Sequence, residues 1–142
     1  MAQTNKPRPV YTNIHVTQIL SYRLPPAGMV SILHRVSGAL MFLLLPFVVW
    51  LFDVTVTSEV TYERFTNAFG PGIGFVSGWF VKLVLLALLW AYLHHFIAGV
   101  RHLWMDATHS VTLKFGQVSA VATLALSVVL TLTLGAKFFG VY

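Results

Sequence analysis

The sequence has 142 residues, of which 57% are hydrophobic and only 9% are charged, and its mean hydropathy is +0.78. A soluble chain of this length cannot bury so much apolar surface in one core, so the composition indicates an integral membrane protein. The chain contains no cysteine, which excludes a disulfide framework, an iron–sulfur cluster or a thiolate metal site built from this chain alone.

Three uncharged segments approach the roughly 20 residues that a helix needs to cross a hydrocarbon core of about 30 Å. With their flanking turns they predict an all-α membrane protein with three transmembrane helices. The expected helices cover about residues 29–52, 75–104 and 115–139. They follow a polar arm over residues 1–28 and are joined by an outer loop over 53–74 and a short connection over 106–114.

The charged residues predict the topology of these helices. Basic residues flank one set of helix ends: Lys6, Arg8, Arg23, Arg35, Arg101 and Lys114. Three of the four acidic residues, Asp53, Glu59 and Glu63, lie instead in the expected outer loop, together with a single basic residue, Arg64. The positive-inside rule therefore predicts a cytoplasmic N-terminus and a periplasmic C-terminus. This distribution accounts for the net charge of +5 without nucleic acid. Residues 1–30 show neither a secretory signal nor a transit peptide, so we expect a bacterial inner membrane.

Ionisable residues inside membrane segments are costly and are functional candidates by default. A first cluster opens the first helix, where Ser31, His34 and Arg35 fall within one arc of about 100° near a positive helix N-terminus. Such a group suits an oxygen-rich ligand, such as a carboxylate, a phosphate headgroup or a quinone carbonyl. In the alternative interpretation, Arg35 reaches lipid phosphates and His34 only caps the helix.

A second cluster lies on the second helix, where His94 and His95 are adjacent. Neighbouring side chains point about 100° apart, so the two histidines cannot ligate one metal from the same face. The face of His95 is expected to carry small residues and a further histidine: Ala91, Ala98, Gly99 and His102. A planar macrocycle could occupy that slot with His95 as its axial ligand. Ordinary helix packing is the alternative, because small residues also mark helix–helix contacts.

If His95 held a heme iron, four side chains would lie at the depth of the anionic propionates: His34, Arg35, Arg101 and His102. His94 is expected to be a packing or interfacial histidine, and His15 and His109 are expected to be solvated. No paired carboxylates and no Ser–His–Asp set lie within a span, so we predict no catalytic residue of a hydrolase in this chain.

Two motifs resemble those of the cytochrome b (b556-type) membrane-anchor subunits of succinate dehydrogenase, the respiratory complex II. They are SILHRVSG over residues 31–38 and HFIAGVRHLWMD over residues 95–106, and Arg8-Pro9 in the arm adds to them. The order of three helices matches that family over essentially the whole chain.

The resemblance implies roles for individual residues. The histidine four residues before Gly99, which is His95, is an axial ligand of heme b. Ser31 and Arg35 line the ubiquinone pocket, and His34 contacts a heme propionate. Arg35 lies between the two ligands and can serve both.

The resemblance also implies partners. The second axial histidine comes from a companion anchor subunit, so the three helices form half of a heme-binding bundle. A flavoprotein subunit oxidises succinate, and an iron–sulfur subunit passes the electrons on. The other partners are ubiquinone and membrane lipids. Two alternatives remain open: the anchor of a fumarate reductase or another cytochrome b-linked dehydrogenase, and a heme-free scaffold that tethers a soluble complex.

Overall fold

The structure, a computed structural model, describes residues 15–141. Five α-helices lie within this range: Val16–Ser21 (α1), Pro26–Thr57 (α2), Glu59–Asn67 (α3), Gly78–Thr108 (α4) and Leu113–Phe138 (α5). No strand occurs between residues 15 and 141 beyond a single bridge of Ile73 with Val76. Half of the predicted arm, including Lys6 and the Arg8-Pro9 pair, lies outside the described residues.

The three long helices α2, α4 and α5 contain 32, 31 and 26 residues and are apolar enough to cross a membrane. This confirms the predicted all-α membrane fold. The helix α2 begins at Pro26, earlier than the expected residue 29, because proline is well suited to the first turn of a helix. It also continues to Thr57, beyond the expected end at residue 52.

The connection between α2 and α4 contains a helix that the sequence analysis did not predict. The helix α3 starts with a reciprocal cap, in which the Thr61 N–H donates to Ser58 Oγ at 3.2 Å and the Ser58 N–H donates to Thr61 Oγ1 at 3.0 Å. It packs against α2. The expectation of a loop over residues 53–74 was therefore wrong for residues 53–57, which belong to α2, and for residues 59–67, which form α3.

The helices α2, α4 and α5 pack against one another, and their shared core consists mainly of small side chains. Val30, Ala98 and Ala120 form a fully buried cluster, whereas large apolar residues such as Phe42 and Leu43 are mostly exposed on the outside. Small residues let helix backbones approach closely, and exposed apolar side chains suit lipid or partner helices. The distribution is that of a membrane bundle.

A polar stripe on α5 faces α4. Its buried or partly buried members recur at intervals of four: Ser119, Thr123, Ser127 and Thr131. The fully buried His94 of α4 places Nδ1 3.3 Å from Ser127 Oγ and stacks on Trp90, with the ring centroids 5.2 Å apart. His94 is thus a packing histidine that joins α4 to α5.

We predict that Ser127→Ala weakens the α4–α5 pairing, because it removes the interhelical hydrogen bond of His94. Such bonds contribute about 0.6 to 1.7 kcal/mol in membranes. An SDS titration in mixed micelles measures the loss. The control is Thr131→Val, since the Thr131 hydroxyl donates to the carbonyl of Ser127 in its own helix. Equal destabilisation by both variants would contradict an interhelical role for Ser127.

Candidate functional site

Three imidazoles meet in the cleft between α2 and α4, and we call them the histidine cluster: His34, His95 and His102. The rings of His34 and His95 stack with centroids 4.1 Å apart and an angle of 18° between their planes. The ring of His102 lies 5.3 Å from that of His34. The structure therefore brings together three residues that the sequence analysis selected from two separate motifs.

The hydrogen bonds of His95 define its tautomer. Its Nδ1 lies 3.0 Å from the backbone carbonyl oxygen of His34 and 3.3 Å from Ser37 Oγ. A carbonyl oxygen can only accept, so Nδ1 carries the proton and donates it there. Nε2 is then the nitrogen with the free lone pair. A histidine that donates Nδ1–H to a backbone carbonyl is oriented for metal ligation through Nε2.

Glycine makes the close approach of α2 to His95 possible. A Cβ atom on Gly38 would lie only 2.9 Å from Cε1 of His95. Across the cleft, a Cβ on Gly99 would lie 3.7 Å from Nε2 of His34. Only Gly38 is therefore required for the close approach, because a contact of 3.7 Å at Gly99 is an ordinary van der Waals distance.

The expected slot of small residues beside His95 was only partly right. Gly99 and His102 lie on the side of the histidine cluster, but Ala91 and Ala98 are buried on the stripe of α4 that also carries His94. On a helix, residues 95 and 98 differ by about 60° in direction, so spacing alone does not separate a cleft face from a core face. Part of the expected slot is filled by α5 and α2.

The pair of Ser31 and Arg35 lies one turn apart on α2. Arg35 Nε donates to the backbone carbonyl of Ser31 at 3.2 Å, and the Arg35 side chain remains exposed. The guanidinium is thus held beside Ser31 without being buried. The geometry keeps the two residues together, as expected, and leaves the cation accessible to a ligand.

Arg101 is not part of the histidine cluster. Its Nε donates to Ser119 Oγ at 2.9 Å and its Nη2 to the carbonyl of Gly116 at 3.0 Å, so the guanidinium points to α5. The expected contact of Arg101 with a heme propionate stays a prediction. The direction of its guanidinium toward α5 does not support that contact. His15 and His109 are both exposed, as expected of solvated histidines.

The histidine cluster is not a metal-ligand set by itself. Between residues 15 and 141, no group of three or more His, Asp and Glu side chains is arranged to hold a metal ion. The chain can nevertheless offer one axial nitrogen, since His95 is only partly buried and its Nε2 holds the lone pair. The residues present therefore fit a heme to which this chain would give one histidine ligand.

Two residues of the site had no role assigned from the sequence. Ser37 is fully buried and links the two motifs, because its Oγ donates to the carbonyl of His34 at 2.9 Å and also meets Nδ1 of His95. Gly38 supplies the space described above. In the sequence, these two residues stand out only as a Ser-Gly pair shortly after the first cluster.

Comparisons with known proteins agree with the motifs. The family described as succinate dehydrogenase/fumarate reductase transmembrane subunit matches residues 4–134. The chain is 31% identical over 140 residues to the succinate dehydrogenase cytochrome b556 subunit of Paracoccus denitrificans, covering 98% of both chains. A protein of the same name from Coxiella burnetii is 31% identical over 123 residues, which cover 87% of this chain and 90% of the relative. These matches confirm the resemblance.

We predict that Gly38→Ala destabilises the bundle by about 1 to 3 kcal/mol, because the added methyl group must displace the His95 ring from a packed cleft. The same SDS titration measures the change. Gly116→Ala is the matched control, since a Cβ there meets nothing within 4 Å. Similar midpoints for the two variants would show that α2 does not approach His95 closely.

Proposed function

Because the chain belongs to the family of succinate dehydrogenase/fumarate reductase transmembrane subunits, we propose that it is the cytochrome b anchor of a succinate:quinone oxidoreductase. It binds heme b, contributes to the ubiquinone site and passes electrons from an iron–sulfur subunit to quinone. The observation that carries the proposal is the hydrogen bond from Nδ1–H of His95 to the backbone carbonyl of His34. This bond leaves the lone pair of Nε2 free to bind iron.

His95 would hold the heme from this chain through its Nε2, and a companion anchor subunit would supply the second histidine. His34 and His102 lie beside it in the histidine cluster, and Arg35 adjoins His34 on α2. These three can donate hydrogen bonds to the anionic propionates. When bound, the heme would supply a one-electron redox centre beside these residues.

Ser31 and Arg35 form this chain's part of the quinone site. Reduction of a quinone to a quinol places negative charge on its carbonyl oxygens before protons arrive. The exposed Arg35 guanidinium, held one turn from Ser31, can stabilise that charge, and the Ser31 hydroxyl can donate a hydrogen bond to the same oxygen.

The chain performs only part of the overall reaction. A flavoprotein subunit oxidises succinate, an iron–sulfur subunit delivers the electrons, and the companion anchor completes the heme-binding bundle. In this arrangement the chain lies in a bacterial inner membrane with its N-terminus in the cytoplasm, where the start of α2 faces the iron–sulfur subunit.

Two alternatives compete with this proposal. The family name covers fumarate reductase as well, but the relatives described above are all named as succinate dehydrogenase subunits, which favours that enzyme. In a heme-free scaffold His95 would be a packing histidine, as the fully buried His94 is. The partial exposure of His95 and the stacking of His34 on its ring favour the heme-binding subunit.

We predict that His95→Ala abolishes the b-type α-band in the dithionite-reduced minus oxidised spectrum of the purified complex, because the iron loses an axial ligand. His94→Phe is the matched control. It retains an aromatic ring on Trp90 and should keep the band, although the bundle is less stable without the bond to Ser127.

The opposite pattern, with the band lost in His94→Phe and kept in His95→Ala, would reverse the ligand assignment. A wild-type complex without any b-type band would favour the heme-free scaffold.

We predict that Arg35→Gln lowers the rate of succinate:ubiquinone reduction about 100-fold, because the developing oxyanion loses its cation. Ser31→Ala should lower it less. Succinate oxidation by an artificial acceptor that takes electrons from the soluble subunits should be unchanged in both. Arg64→Gln on α3 removes a cation from the opposite end of the bundle and is the control. Equal loss of both activities would indicate failed assembly rather than a quinone role.

A further inference from the structure

Arg101 is a buried cation without an anionic partner in the described part of the chain. Only 9% of its surface is exposed. Its two hydrogen-bond acceptors, Ser119 Oγ and the Gly116 carbonyl, are both neutral. A guanidinium carries five N–H donors, so these bonds leave several donors unused. An unpaired charge is costly at membrane depth, which indicates that an anion from outside the chain pairs with Arg101.

A groove of about 290 Å³ lies next to this guanidinium, between α4 and α5. Its walls are mainly apolar and include Ile97, Val100, Ala122 and Leu126, and two aromatic residues, Trp104 and Phe115, also line it. Tryptophan, like tyrosine, is enriched where a membrane helix reaches the headgroup level. The groove thus has an apolar channel and a cation, which are the two parts that an amphipathic ligand with an anionic head requires.

The groups around the groove also carry positive charge. The helix α5 begins beside it at Leu113, and its N-terminal end carries a partial positive charge. Lys114 adds an exposed cation in the same turn. The acid closest to Arg101 along α4 is Asp106, which is exposed and forms no ion pair with Arg101 in the described residues. Charge complementarity therefore favours an anion here.

We propose that this groove binds one anionic phospholipid, with its phosphate on Arg101 and an acyl chain along α4 and α5. Arginine suits phosphate because its planar fork of donors matches the phosphate oxygens. The guanidinium points to α5 and away from the histidine cluster, so the site is separate from the heme and quinone residues. It does not depend on the function proposed above.

Lipid binding can be measured on the protein purified from membranes together with its co-purifying subunits. Native mass spectrometry compares the lipids retained during titration with phosphatidylglycerol or phosphatidylcholine. We expect wild type to prefer phosphatidylglycerol about fivefold, the effect of one cation on one anionic headgroup. Arg101→Gln should abolish the preference. Arg64→Gln, which removes one positive charge from α3, is the matched control and should retain it.

A second variant separates lipid binding from folding. Ala122→Trp fills the groove and leaves Arg101 in place, so it should also reduce retention of phosphatidylglycerol. Arg101→Lys keeps the charge and should preserve most of the preference. The proposal is overturned if wild type shows no preference, as expected if a carboxylate of another subunit covers Arg101. It is equally overturned if Ala122→Trp and Arg101→Gln both bind phosphatidylglycerol as wild type does.

Discussion

The close contact between α2 and α4 at His95 is the interaction on which the rest of the site depends. Gly38 lets the backbone of α2 reach the imidazole, and the carbonyl of His34 then accepts the proton of Nδ1 at 3.0 Å. The buried Ser37 hydroxyl donates to the same carbonyl, so the Ser37 side chain and the His95 ring share one acceptor at the helix crossing. One short stretch of α2 thereby fixes the ring orientation, the tautomer and the position of a second imidazole, which stacks on the first.

The two adjacent histidines of α4 have different structural roles. His94 points into the bundle, where Ser127 and Trp90 hold it, and His95 points into the cleft toward α2. The polar stripe of α5 supports this division because the contacts of His94 and Arg101 with α5 restrict the rotation of α4. A helix that rotates freely would exchange the environments of the two rings. The third transmembrane helix therefore has a structural part in presenting the proposed ligand.

Composition and segment length were sufficient to predict three membrane helices, because a bilayer accepts few other structures for such segments. The helix α3 was missed because it is short and Thr61 occupies the capping position where Glu or Gln would be a clear signal. The surroundings of His95 were predicted only in part, since Ala98 differs from it by about 60° and the neighbouring helices decide which face is buried. The direction of Arg101 depended on acceptors contributed by α5, and the roles of Ser31 and Arg35 came from the family resemblance. The second heme ligand that the proposal requires would come from another chain and is therefore not contained in this sequence.

The central claim, that His95 presents Nε2 to a heme iron, is tested most directly by chemical rescue. His95→Gly leaves a cavity where free imidazole can replace the missing ring, and His94→Gly leaves a comparable cavity inside the bundle. We expect added imidazole to restore the b-type spectrum of the His95→Gly complex in a saturable manner, whereas the His94→Gly complex should show the spectrum without imidazole. A b-type spectrum in His95→Gly that is unaltered before imidazole is added would contradict it.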